Sequence, residues 1–164
     1  MAVSDGSFKD KFGTAAWVIE GRRSDGRLEG QCIIPGGPED QSAYRSELGG
    51  LYAIAAMVQV ICELHNIQEG SIEVACDGMN ALAQVGEADP IIRPNGAQYD
   101  IIAATQAKIK RTNIQWKMRH VMGHQDDTQG CTVMDRWETL NCMMDERAKQ
   151  HWQHHSTRTT RVQE

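Results

Sequence analysis

SELGGLYAIAAMVQVICELH, residues 46–65, is the stretch around which the rest of the chain is arranged. On a helix, Leu51, Ile54, Ala55, Val58, Ile61 and Cys62 all fall within roughly 80° of Glu47. That is the width of face a core-facing helix needs, sustained for almost five turns. Glu47 stands in the middle of this apolar face, at its N-terminal end. A carboxylate aimed at a core is costly unless a cation or strong donors meet it. One reading places Glu47 just beyond the core edge, paired with its neighbour Arg45. The other reading takes it together with two carboxylates that follow apolar runs elsewhere, Asp5 and Asp77.

Upstream of the helix the chain reads as strands. A short apolar run stops at Asp5-Gly6, TAAWVI (14–19) is a second strand, and Cys32-Ile33-Ile34 a third. GRRSDGRLEG (21–30) between them is dense in turn residues, so two antiparallel hairpins fit the first 35 residues. Ser42 or Asp40 is placed to cap the long helix. Downstream, SIEVAC (71–76) is a buried strand ending at Asp77-Gly78. A short helix follows over 79–85, then a proline-containing loop over 87–96 and a helix over 99–109. Ile114, Trp116 and Met118 alternate with polar residues as in a half-buried strand. Trp137, Leu140, Met144 and Ala148 mark a last helix. Past Gln150 no apolar period continues, which predicts a frayed, flexible tail over 151–164. Strands first, then helices alternating with strands, imply an α/β fold: a mixed sheet covered by helices.

The 164 residues suffice for one domain with a proper core, and the composition, 40% hydrophobic and 24% charged, is that of a globular protein. No apolar run approaches the length of a membrane span, and the start does not resemble a signal peptide. Five scattered cysteines, never in a C-x-x-C pair, read as free thiols of a reducing, intracellular compartment, cytoplasmic or nuclear, and argue against zinc held by thiolates. A net charge of −5 disfavours gripping nucleic acid by bulk electrostatics. It does not disfavour a metal-dependent nuclease, whose site must itself collect acids.

Asp5 and Asp77 each follow an apolar run and precede a glycine. If their strands are parallel neighbours, both carboxylates emerge at one sheet edge, where the long helix delivers Glu47. Hard oxygen ligands without Cys or His suit Mg²⁺ or Mn²⁺ rather than Zn²⁺. His120 and His124 fall on a strand end and a loop, so a helical zinc pair is not expected there. His151, His154 and His155 read as part of a solvated tail, with adventitious metal binding the alternative. Lys108, Lys110, Arg111, Lys117 and Arg119 read as a solvated basic face, with phosphate contact the alternative.

DGS (5–7), SEL (46–48), CDG (76–78), GH (123–124) and N-x-x-x-D-x-x-A (141–148), in this order, resemble the motifs of type 1 ribonuclease H over residues 1–150. The resemblance implies a ribonuclease H-like fold: a five-stranded mixed sheet, three antiparallel strands then two parallel ones, with helices on both faces. It implies a two-metal endonuclease that cuts the RNA strand of RNA–DNA hybrids to 5′-phosphate and 3′-hydroxyl ends. Asp5, Glu47, Asp77 and Asp145 would hold two Mg²⁺ ions, for which Mn²⁺ can substitute. His124 would assist proton transfer or product release. Gly6, Ser7, Arg45 and Asn141 would serve substrate binding or support the site.

The chain also departs from the family pattern. Only four residues precede Asp5, and twenty separate His124 from Asp145, bringing Asp135 into competition for the fourth ligand position. Asp145 is preferred because Asn141 and Ala148 stand at the matching offsets. The stretch 85–98 carries one arginine and no lysine, so the basic protrusion of bacterial enzymes is missing. This fits the retroelement branch, in which a reverse transcriptase or polymerase domain of the same parent protein is the partner. The competing expectations are another nuclease of the same fold acting on DNA or RNA, and a catalytically silent connection or binding domain.

Overall fold

The computed structural model describes residues 1–23, 26–86, 96–123 and 133–161, with side chains through 156. The elements are β1 (Ala2–Lys9), β2 (Phe12–Glu20), β3 (Arg27–Ile33), α1 (Ala43–Leu64), β4 (Ser71–Cys76), α2 (Met79–Gly86), α3 (Tyr99–Lys110), β5 (Gln115–His120) and α4 (Arg136–Arg161). One five-stranded sheet runs in the order β3-β2-β1-β4-β5. β1, β2 and β3 pair antiparallel, while β4 is parallel to both β1 and β5. This is the expected mixed sheet.

α1 begins as expected, with the Ser42 Oγ accepting the Arg45 N–H at 3.0 Å. Asn66, at φ 48°, turns the chain out after its last turn. In length and mean hydropathy (1.4) α1 matches a membrane span, contrary to the expectation that no stretch approaches one. Its burial identifies a core helix: Leu48, Leu51, Ile54, Val58 and Cys62 pack with Ala2, Trp17, Ile72 and Val74 on one face of the sheet. Ala81, Leu82, Val85, Ile101 and Ile102 from α2 and α3 complete that cluster. On the opposite face Leu140, Met144 and Ala148 of α4 cover Val3, Ala16, Val18 and Ala75. Alternate residues of β1 thus serve two cores.

Three expectations are corrected. β1 does not stop at Asp5 but runs on to Lys9, because β2 pairs with it along its whole length and supplies backbone partners whatever the side chains. β3 starts at Arg27, inside the turn-rich stretch. It is an edge strand, so its polar and glycine residues need no burial. The segment after Gln150 is helical as far as Arg161 rather than frayed. The Trp152 Nε1–H donates to Lys9 O (3.1 Å) and Phe12 O (3.0 Å), bolting the helix to the β1–β2 turn. That turn uses positive φ at Asp10 and Lys11, the geometry that matches a two-residue hairpin to strand twist.

Candidate metal centre

β1 and β4 pair at only two positions, Ala2↔Val74 and Val3↔Ala75. Beyond Val3 the two strands separate at their C-terminal ends, and a sheet that splits this way opens a crevice at its edge. Asp5 shares the strand parity of Val3 and lies on the α4 side. Glu47 enters from α1, on the other side. Asp77 follows directly on β4. One carboxylate oxygen from each of the three lies within 4.8 Å of the others.

The approach of α1 depends on Gly6. A β-carbon there would stand 2.7 Å from the Ser46 carbonyl carbon and 2.8 Å from the Glu47 nitrogen, so only glycine lets the helix start sit on the strand. The Gly6 N–H then donates to Asp5 Oδ1 (2.7 Å) and to Glu47 Oε1 (3.1 Å). Gly123 performs the corresponding service for Asp77: a β-carbon there would collide with Asp77 Oδ2.

The electrostatics are lopsided. Asp5 is 4% exposed, and burial first, then the charges of Glu47, Asp77 and Asp145, push its carboxyl well above the usual range. Glu47 is half-buried as a residue, but its Oε2 is enclosed and has no hydrogen-bond partner among the described residues. Burial and Asp77 raise Glu47 as well, with the Gly6 N–H acting in the opposite direction. Burial also pushes the neighbouring Cys76 thiol up. Two carboxylates, Asp5 and Glu47, raised by burial and by their acidic neighbours, next to a third and with one enclosed oxygen that no hydrogen bond engages among the described residues, are a donor set fitted to a hard divalent cation.

Asp145 lies close enough for its charge to raise Asp5, while its Oδ2 accepts from Lys149 Nζ at 2.6 Å. Asp135, the competitor, is engaged elsewhere: its Oδ1 accepts the Glu138 N–H and Glu138 Oε2 accepts the Asp135 N–H, each at 2.9 Å. That is a capping box at the start of α4. Asn141 is 1% exposed, beneath the surface rather than on it, and its Nδ2 lacks a partner among the described residues. The Ser7 carbonyl accepts from the Ser46 Oγ at 3.2 Å.

Arg45 neither pairs with Glu47 nor faces the carboxylates. It is 3% exposed and donates to Pro35 O (2.8 Å), Gln98 Oε1 (2.6 Å) and both oxygens of Asp100 (2.9 and 2.6 Å). It clamps the start of α1 to the loop before it and to α3. His124 lies outside the described residues. His120 is described, and its Nε2 meets the Asp77 carbonyl oxygen at 3.1 Å. The basic face is partly used up, since Arg111 pairs with Glu63 and Arg119 with Glu73.

Two contributors escaped the sequence reading. The inward role of the Gly6 N–H has no signal in sequence. Lys149 has one, its i, i+4 spacing from Asp145.

No family model matches the chain, and no curated protein matches it in sequence. Solved structures do match it. The N-terminal RNase H domain of a Mycobacterium tuberculosis protein, solved as a fusion with maltose-binding protein, superposes with a TM-score of 0.62 at 13% identity, over 96% of this chain and 97% of that one. LC11-RNase H1, solved in complex with an RNA/DNA hybrid, gives 0.63 at 13% identity over 88% and 90%. RNase H1 from the archaeon Halobacterium salinarum gives 0.52 at 15% identity over 77% and 87%. With a matching sheet order and near-complete coverage, the chain has the ribonuclease H-like fold.

Proposed function

We propose that this protein is a two-metal-ion endonuclease that hydrolyses the RNA strand of RNA–DNA hybrids, leaving 5′-phosphate and 3′-hydroxyl ends. The observation that carries the reading is the cluster of Asp5, Glu47 and Asp77 at a sheet edge, Asp5 buried and the other two half-buried, with the enclosed Glu47 Oε2 lacking a hydrogen-bond partner among the described residues. A protein does not hold buried acids without cations at no cost, since each unpaired charge forfeits several kcal/mol of solvation. LC11-RNase H1, of the same fold, has been solved with a hybrid bound, which supports the substrate class.

Asp5, Glu47, Asp77 and, once released from Lys149, Asp145 would hold the ions. Two bound Mg²⁺ ions, with Mn²⁺ as substitute, would supply water activation and charge stabilisation at the leaving oxygen. The chain's own part is to fix the geometry. The Gly6 N–H orients Glu47 and Asp5, and Gly123 leaves room for Asp77. His124 would carry protons or help release product. Gly6 and Ser7 would bring backbone groups to the RNA strand, whose 2′-hydroxyl distinguishes it from DNA. Asn141 would support substrate binding from below the surface, and Arg45 would support the site only through the start of α1, which carries Glu47 and which it clamps to α3. The catalytic unit would be residues 1–150. The free thiols of Cys32, Cys62 and Cys76 support a reducing intracellular setting. The paucity of basic residues in 85–98 supports a reverse transcriptase or polymerase domain as partner.

The test is cleavage of a labelled RNA–DNA hybrid with Mg²⁺ and with Mn²⁺, beside Asp77→Asn. Cutting of the RNA strand that disappears with EDTA and in the variant is the expected result. Cutting of DNA instead would overturn the substrate while leaving the metal centre standing. No cutting of any substrate, even with a polymerase partner supplied, would overturn the enzyme.

A further inference from the structure

HWQHH, residues 151–155, lies in the segment whose polarity predicts fraying, yet it is helical. The helix turns three scattered histidines into a face: His151, His154 and His155 stand at i, i+3 and i+4, within about 100° of arc. The rings of His151 and His155 have centroids 4.5 Å apart and are inclined at 71°. Those of His154 and His155 are 5.4 Å apart at 89°. His151 and His155 are half-buried and His154 is exposed.

The backbone beneath them is fastened in place. Trp152 is bonded to the β1–β2 turn, and one turn earlier the Thr14 Oγ1 donates to the Ala148 carbonyl at 2.7 Å. A ligand pair on a fixed frame is pre-organised and loses little freedom on chelation. Burial, and then the facing rings of His155 and His154, lower the pKa of His151. That favours neutral imidazole, the form with a lone pair for a metal. Among the residues whose side chains are described, Arg147, one turn before His151 on the same stripe, is taken up by Glu29 at 2.7 Å.

We propose that His151 and His155, with His154 beside them, form a binding site for a borderline-soft divalent transition ion of the Zn²⁺, Ni²⁺ or Cu²⁺ class. Two nitrogens bound to one such ion at about 2.0–2.1 Å lie about 3.3 Å apart, within rotamer reach of an i, i+4 imidazole pair. Waters complete the coordination. The protein then offers two sites that sort metals by ligand chemistry: hard carboxylate oxygens at the sheet edge, imidazole nitrogens at the end of α4. An ion on the pair would staple the turn of α4 that contains the Trp152 bolt.

The test uses the full chain with saturating Mg²⁺. Zn²⁺ is titrated by calorimetry, and Ni²⁺ by its paramagnetic broadening of the histidine ring signals in NMR. The expected result is a single equivalent of Zn²⁺ with His151 and His155 broadened first and His65, at the far end of α1, last. His151→Ala and His155→Ala should each weaken binding by at least about tenfold, no less than even partners outside the coordination sphere usually cost. His154→Ala should weaken it less. Circular dichroism of the metal-free variants shows whether the helix has survived; if it has not, His155→Asn replaces His155→Ala. Unchanged Zn²⁺ uptake in the helical double variant, or broadening of His65 together with the others, would overturn the site.

Discussion

Glu20 and Glu29, on β2 and β3, have cations around them, whereas Asp5, which is buried, and Glu47, which is half-buried, have carboxylates around them. Glu20 accepts from Arg27 at 2.6 Å and from Arg136, and Glu29 from Arg27 at 2.9 Å and Arg147 at 2.7 Å. Hydrogen bonds from Arg136 to Glu20, and from Arg27 to Glu29, pull both carboxyls below their usual range. Asp5 and Glu47 move the other way, through burial and mutual repulsion. The first group fastens α4 to the sheet. The second opposes folding in the metal-free protein, and a cation supplied from outside, as the proposed function has it, would remove that cost.

The comparison breaks most readily on metal. Millimolar Mg²⁺ should raise the thermal midpoint more at pH 8 than at pH 5.5. At a hundredfold excess over the dissociation constant the gain is about 2.7 kcal/mol, or about 5–10 °C at this chain length. No shift would mean that the acids have no external partner. A buried charge that already has its partners should behave in the opposite way. Arg45→Met, which removes the clamp to Asp100, Gln98 and Pro35, should cost about 2–3 kcal/mol in urea unfolding, with no help from Mg²⁺.

Next comes pH in the metal-free protein. With folded values above the unfolded ones, Asp5 and Glu47 keep protons that the unfolded chain has lost above about pH 4. Stability from this site is therefore greatest in acid and falls as pH rises through the folded values. Asp5→Asn should flatten that slope and stabilise the metal-free protein at pH 8 by at least about 1 kcal/mol, read as a midpoint about 2–4 °C higher. A lower midpoint at pH 8 would contradict the assignment. Glu20→Gln should do least, under about 1 kcal/mol and screened by salt, because its partners remain hydrated.

How far the sequence could be read follows the same division. α1 was legible from its stripe, and Asp5, Glu47 and Asp77 from lying where apolar patterns meet glycine or polar residues. The mixed sheet covered by helices followed from strands first and helices later, while its three antiparallel and two parallel strands were implied only by the family resemblance. β3 was mostly illegible because an edge strand buries little, so Arg27 to Gly30 carry the marks of a turn. The length of α4 was hidden for a different reason. Its last turns are held by one indole reaching a hairpin turn about 140 residues earlier in the chain, and no local period records that. The spent donors of Arg45 were equally invisible, since Asp100 and Pro35 are distant in sequence. The preference for Asp145 over Asp135 could be argued from offsets, but the capping role of Asp135 shows only in the folded start of α4, where it bonds reciprocally with Glu138.

The narrow seam between β1 and β4 also bears on the order in which the molecule assembles. β1, β2 and β3 meet through two hairpins, whose contacts are close in sequence and form early. Joining them to β4 closes a loop of some seventy residues for only two paired positions, so that junction is expected to form after the main barrier. Mutations shortening Val3 or Val74 should then speed unfolding far more than they slow folding, which stopped-flow kinetics would read directly. On that route Asp5 and Asp77 come together only once the two halves of the sheet have folded.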